Sequence, residues 1–188
     1  MKVLFYVTGA AMAPLTPLCL QTLRAMRPAD EVRVALSAAA LRFVTRDACA
    51  MHADHVLLDD WDRIRNGQHV ELSRWPDVIV VYPASLNFVT RFSLGTVDTP
   101  VMLSIQCSAA RIVIAPALPP GGAESFSFEQ ATARLEGHRR VELLPTIVAP
   151  SAVLGTEVRG APVPFTDVVE LLDQIGNHED IRPGVGLR

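Results

Sequence analysis

The stretch Asp77-Val78-Ile79-Val80-Val81-Tyr82-Pro83-Ala84-Ser85-Leu86-Asn87 decides the fold. Val78 through Tyr82 are all β-branched or aromatic, with no polar alternation, which is the pattern of a strand buried on both faces. Pro83 ends the run. Ser85 and Asn87 then open a helical pattern that reaches Leu94-Gly95. A buried strand running straight into a helix is half of a βαβ unit. Working outward, residues 3–7 form a similar apolar run ending at Thr8-Gly9. Further strands are expected over 32–36, 55–58, 111–115 and 141–144. Helical patterns fall between them, over 14–26, where Leu15, Leu18, Cys19, Thr22 and Leu23 share a face, and over 38–49. A short helix with His69, Glu71, Leu72 and Trp75 follows the polar loop at Asn66-Gly67. Others are expected over 100–107, 126–136 and 166–175. Strands alternating with helices predict an α/β fold, a single Rossmann-like (flavodoxin-like) domain with a parallel sheet and helices on both faces. The domain is expected over 1–176, with 177–188 a flexible tail.

Bulk properties narrow the function. The 188 residues are 49% hydrophobic and 20% charged, enough for one sizeable core. The net charge is −3, and the basic residues are scattered apart from Arg139-Arg140, so nucleic acid is not an expected partner. The opening MKVLFYVTGAA has the charge and apolar run of a signal peptide. It leads into Thr8-Gly9-Ala10, however, and reads as the first strand of a cytoplasmic enzyme. No apolar stretch approaches the roughly 18 residues that span a bilayer, so no membrane partner is expected. Cys19, Cys49 and Cys107 form no CxxC pair, which points to a reducing compartment and no metal site.

In open parallel sheets, ligands sit beyond the carboxyl ends of the strands. That singles out the loops over 8–11, 37–40, 83–88 and 116–122. No GxGxxG is present, so the phosphate of any nucleotide must be held otherwise. Ser85 and Asn87, at a helix start after a buried strand, either bind an anion or simply cap the helix. His69 is either a surface histidine beside Gln68 and Glu71 or a proton-transfer group. Cys107 either faces a ligand or serves as a small hydrophobe. Glu71 and Asp77 form no carboxylate pair; surface charge and helix-entry solvation are their expected roles.

The run from His69 to Asn87, continuing to Gly95-Thr96-Val97-Asp98, resembles the homo-oligomeric flavin-containing cysteine decarboxylases. These include lantibiotic peptide decarboxylases, phosphopantothenoylcysteine decarboxylases and halotolerance proteins. Their signature is a short His-bearing helix, a strand ending in Pro-Ala-Ser-x-Asn, and a helix leading to Gly and Asp. The resemblance implies FMN as cofactor, with FAD the alternative. It places the flavin-phosphate motif on Pro83, Ala84, Ser85 and Asn87, with Gly9, Ala10, Ser37, Asp98, Ser104 and Cys107 completing the cofactor side. It makes His69 the active-site base. Two departures stand out. Phe88 replaces a small polar Thr, so one phosphate contact is lost or exchanged for ring packing. Pro119, in Pro116-Ala117-Leu118-Pro119-Pro120-Gly121-Gly122, falls where the family has a substrate-binding Asn. Proline has neither a polar side chain nor an N–H to take over, which leaves Ser125 or a glycine-loop amide as substitutes.

The implied substrate is a cysteine-terminated precursor peptide. Its cysteine is oxidised toward a thioaldehyde, and CO₂ then leaves to give the enethiol half of an aminovinyl-cysteine ring, as in lanthipeptide-type products. Residues 145–163 match the family's substrate clamp but carry no strand pattern. Trimers or dodecamers are implied, with Phe88 and Phe92 read as exposed apolar residues for association. Three alternatives stand beside this reading: a non-catalytic flavin-binding partner subunit, a phosphopantothenoylcysteine decarboxylase, which the absence of a synthetase domain disfavours, and a flavin prenyltransferase, for which the expected basic residues are not evident.

Overall fold

A computed structural model describes residues 1–64, 67–151 and 154–179. Its main sheet has six parallel strands in the order β3-β2-β1-β4-β5-β6. These are β1 (Lys2–Val7), β2 (Glu31–Ser37), β3 (His55–Asp59), β4 (Val78–Ala84), β5 (Arg111–Pro116) and β6 (Val141–Leu143). The chain moves from β1 out to β3, returns to β4 beside β1, and continues to β6. The switch point therefore lies between β1 and β4, where Val3 pairs with Val78 and Tyr6 with Val81.

The period of two along each strand divides the core. Val3, Phe5 and Val7 join Val78, Val80 and Tyr82 on one face, under Leu20 and Leu23 of α1 (Thr16–Met26) and Val168 and Leu172 of α7 (Phe165–Glu179). Leu4, Tyr6, Ile79 and Val81 face the other way. They meet Leu72 of α3 (Gln68–Arg74), Phe88 and Phe92 of α4 (Leu86–Ser93), Met102 and Ile105 of α5 (Pro100–Cys107), and Ala131 and Leu135 of α6 (Phe126–Leu135). The remaining helix, α2, is the short Arg46–Ala50.

Several expectations are corrected. The pattern over 14–26 is a 3₁₀ turn at Ala13–Leu15 followed by α1. The buried side is Thr16, Cys19, Leu20 and Leu23, while Leu15 and Leu18 are exposed. The pattern over 38–49 is likewise two pieces, because Thr45 is extended and caps α2 by accepting the Ala48 N–H, ending the preceding 3₁₀ turn at Ala40–Arg42. Phe88 and Phe92 are buried at 3% and 6% exposure, since α4 lays them against the sheet. Residues 145–163 contain an antiparallel hairpin, β7 (Thr146–Pro150) with β8 (Glu157–Pro162). It escapes sequence pattern because it is largely exposed and has no apolar alternation. The final helix passes residue 177 and ends at Glu179; the rest of the expected tail, 180–188, lies outside the described residues, as does Asn66.

The fold is closed at the amino ends of the strands by charge. Asp30 is buried and accepts hydrogen bonds from Arg27 Nε at 2.5 Å and the Met1 ammonium at 2.6 Å. Burial alone would raise its pKa, but the hydrogen bonds from Arg27 and the amino terminus lower it. Its stabilising effect is thus complete above the unfolded carboxylate value, about 3.9, and is lost as pH falls through the lower folded value. Asp30→Asn should cost about 1–3 kcal/mol at neutral pH. Denaturant titrations across acid pH should also show a shallower loss of stability below about pH 4 in the variant than in the parent.

Candidate functional site

The carboxyl ends of β1, β4 and β5 are stitched together by short polar contacts. Thr8, directly after β1, is buried. Its Oγ1 donates to the Pro83 carbonyl at 2.8 Å and accepts the Ser85 N–H at 2.7 Å. The Thr8 N–H also reaches the Pro83 carbonyl at 3.3 Å, and Ala117 N–H donates to the Ala84 carbonyl at 2.8 Å. Pro83, Ala84 and Ser85 are therefore held from both sides, with a cis peptide at Tyr82–Pro83. Thr8 lies in the expected loop over 8–11 but was given no role of its own there. Its signal was present, since a polar β-branched residue at the end of a buried strand needs buried partners.

Ser85 caps α4, its Oγ accepting the Phe88 N–H at 3.3 Å. The N–H groups of Leu86 and Asn87, in the first turn, have no backbone acceptor among the described residues. Asn87 is exposed beside them. A helix start at the switch point with open amides and an adjacent carboxamide suits an anionic group. Both readings of Ser85 therefore coexist, because capping uses the Phe88 amide and leaves the two before it free. Phe88 resolves toward ring packing. It lies edge-on to Tyr6 with centroids 5.6 Å apart and stacks on Phe92 at 5.6 Å, so its side chain serves the core.

Gly9 has a steric reason of its own. A Cβ there would lie 2.5 Å from the Ala39 Cβ, so glycine lets the loops after β1 and β2 touch. Ser37 accepts the Ala40 N–H at 3.1 Å and turns that second loop. Ala10 is buried in the first.

His69 sits near the start of α3, partly buried, with its ring edge-on to Trp61 at 5.6 Å and 67°. The Trp61 indole N–H donates to the Asp98 carbonyl at 2.9 Å, and the Asp98 carboxylate pairs with Arg91. Ser104 is buried, and its hydroxyl contacts the carbonyls of His69 at 2.8 Å and Pro100 at 2.7 Å. Ser104 therefore holds the His69 backbone, and Asp98 holds Trp61. Between this group and β1, Asp59 accepts from the Tyr6 hydroxyl at 2.6 Å and from the Val101 N–H at 2.9 Å. Burial, and then the Asp59 carboxylate, push the Tyr6 phenol well above its ordinary pKa, so it stays a donor. No hydrogen bond or ring contact among the described residues joins His69 to Ser85 or Asn87.

Cys107 is not brought to this region. It is exposed at the far end of α5, in a groove with Asp77 and Arg111 at the amino ends of β4 and β5. α5 starts beside Asp59 at the carboxyl end and runs back toward the amino ends, where its last residue lines the groove with Asp77 and Arg111. Asp77 does not solvate a helix; it accepts the Lys2 N–H at 2.7 Å, while Glu71 pairs with Arg33 at 2.6 Å.

The loop after β5 is tied to the hairpin, with Leu118 N–H donating to the Gly160 carbonyl at 2.7 Å. Gly160, at φ 141°, has no room for a Cβ, which would stand 2.9 Å from the Leu118 oxygen. Pro119 is exposed on this loop, and its carbonyl accepts the Gly122 N–H. Ser125 is engaged as the cap of α6, accepting from Phe128 N–H and donating to the Gly122 carbonyl.

Thr8→Val keeps the shape of the side chain but leaves the Ser85 N–H without its acceptor. It should destabilise the fold by about 1–3 kcal/mol in denaturant unfolding and lower the yield of coloured protein. Unchanged stability would mean that Thr8 does not hold the Pro83–Ser85 turn.

Comparison with known proteins bears on the family and the fold. Over 119 residues, 60% of its length, the chain is 37% identical to the coenzyme A biosynthesis bifunctional protein CoaBC of Haemophilus influenzae, 28% of which is covered. Over 121 residues, 61% of its length, it is 31% identical to the cypemycin cysteine dehydrogenase (decarboxylating) of a Streptomyces species, 62% of which is covered. The chain thus matches less than two thirds of either relative. In fold it resembles the crystal structure of the FMN-dependent cysteine decarboxylase SpaF, with a TM-score of 0.79 and 21% identity over 94% of this chain and 97% of that one. The flavoprotein family model matches residues 1–175. The resemblance read from the Pro83–Asn87 motif therefore holds, and the chain belongs to the flavoprotein family.

Proposed function

We propose that this protein is an FMN-dependent decarboxylase that oxidatively removes CO₂ from the C-terminal cysteine of a precursor peptide, releasing an enethiol. The observation that carries the reading is the start of α4 at the switch point. There, Thr8 clamps Pro83–Ser85 so that the Leu86 and Asn87 amides stay open toward an anion. These residues fit a flavin phosphate: Ser85 and Asn87 add short polar groups, and Gly9, Ala10 and Ser37 shape the flanking loops. When bound, a flavin supplies a two-electron acceptor. His69 takes the proton from the substrate thiol, with its ring oriented by Trp61 and its backbone held by Ser104. The hairpin β7–β8, tied to the loop after β5 through Leu118 and Gly160, is well placed to cover a peptide end.

We further propose a cytoplasmic homo-oligomer, a trimer or dodecamer, with each site completed by a neighbouring copy. The exposed apolar side chains Leu18, Phe43 and Phe126 support this. Those residues replace Phe88 and Phe92 as the basis for association.

Two other readings have support of their own. The CoaBC relative favours phosphopantothenoylcysteine as substrate. Pro119, exposed and without a polar group, favours a flavin-binding partner with no turnover of its own. Mass spectrometry of cysteine-terminated peptides incubated with the yellow protein separates them. A loss of about 46 mass units, CO₂ plus two hydrogens, is expected on the proposed reaction. Loss of CO₂ from phosphopantothenoylcysteine alone would move the assignment to that substrate, and no change in either would favour the partner.

Two variants test the residue roles. His69→Ala should abolish turnover and leave the protein yellow. Ser85→Ala combined with Asn87→Ala should give colourless protein, and full flavin occupancy there would remove the phosphate assignment.

A further inference from the structure

The end of the sheet away from the flavin loops carries a second concave surface. A groove of about 720 Å³ is lined by Asp77, Cys107, Ser108, Arg111, Arg139 and Arg140, among others. Asp77 and Arg111 stand at the amino ends of β4 and β5, a strand length of about 20 Å from the Pro83–Asn87 turn. Of the described lining residues only Asp77 is acidic, and its carboxylate is already engaged with the Lys2 N–H at 2.7 Å. The Ser108 hydroxyl accepts the Ala110 N–H at 3.2 Å.

The three guanidinium groups are left under-used. Arg111 forms a loose ion pair with Glu142 at 3.9 Å, beyond hydrogen-bond range, and both side chains are a little under half exposed. Arg139 is exposed and forms no ion pair among the described residues. Arg140 is anchored through its backbone, the carbonyl accepting the Ile112 N–H at 2.7 Å, and its half-buried side chain forms no ion pair among the described residues. In a chain of net charge −3, this is a local concentration of positive charge in a concave site.

We propose that this groove binds a phosphorylated small molecule of nucleotide size, its phosphates held by Arg111, Arg139 and Arg140. Guanidinium groups match phosphate oxygens in paired hydrogen bonds, and three of them suit a diphosphate better than a single carboxylate. The volume leaves room for more than the phosphates themselves.

Cys107 on the lining gives a direct readout that does not depend on flavin or turnover. Cys19 and Cys49 are buried, and burial pushes both thiols up to about 11, so iodoacetamide at neutral pH should modify Cys107 selectively. The protein as purified is alkylated with and without inorganic pyrophosphate or ADP. At ten times the dissociation constant, alkylation should slow about tenfold. Arg139→Ala with Arg140→Gln should remove the protection, and so should the exposed single variant Arg139→Ala in large part. Ser85→Ala with Asn87→Ala should keep it, which separates this groove from the flavin-phosphate turn. Stronger protection by ADP than by pyrophosphate would place a nucleoside in the rest of the groove, and equal protection would confine the ligand to its diphosphate. Absence of protection by both probes, protection equalled by sulfate at the same ionic strength, or protection undiminished in the arginine variants would overturn the proposal.

Discussion

The pairing of β4 with β1 is the constraint on which the rest depends. All seven residues of β4 are buried, and β1 is buried from Val3 onward. Two adjacent parallel strands with apolar side chains on both faces require helices above and below, and the chain can supply them only through crossovers. The crossovers leave β1 in one direction and β4 in the other. A crevice between their carboxyl ends is the geometric result.

What occupies the rim of that crevice is then a matter of polar bookkeeping. Strand ends carry backbone groups that no ladder satisfies. Thr8 answers for two of them with one hydroxyl, taking the Ser85 N–H and giving to the Pro83 carbonyl. The same contact fixes the direction of α4, whose first amides are left for a ligand. Structural and binding roles are thus divided among neighbouring residues. Phe88 and Phe92 face inward to Tyr6 and the core, while Asn87 faces out. On the opposite flank, Ser104 and Asp98 are engaged within the chain. They hold the helix and the indole that border His69. His69 is thereby held through its backbone carbonyl and through one ring contact.

Much of this was legible in the amino-acid sequence. The apolar runs at 3–7 and 78–82 marked doubly buried strands, α5 spans the expected 100–107, and the Pro-Ala-Ser-x-Asn motif carried the resemblance to the flavin-containing family. The helices over 14–26 and 38–49 were overextended because periodicity does not see a cap such as Thr45, which ends one segment by starting another. The hairpin was missed for a related reason. β7 and β8 are held by each other and by Leu118, so their side chains need no alternation.

By itself, the sequence determined the layering of the fold and the order of its strands and helices, because buried strands and helix starts leave a local signature in residue type and spacing. Only the tertiary structure decided which residues of the motif-bearing segments meet. It sent Cys107 to the far rim, since a helix carries its last residue away from its first. It buried Phe88 and Phe92, whose exposure depends on which side of α4 the sheet lies. It also brought Arg111 together with Arg139 and Arg140, residues distant in the chain that meet because β5 begins where the turn before β6 ends. Contacts of that kind are set by the register of strands, a long-range property that no local stretch of sequence contains.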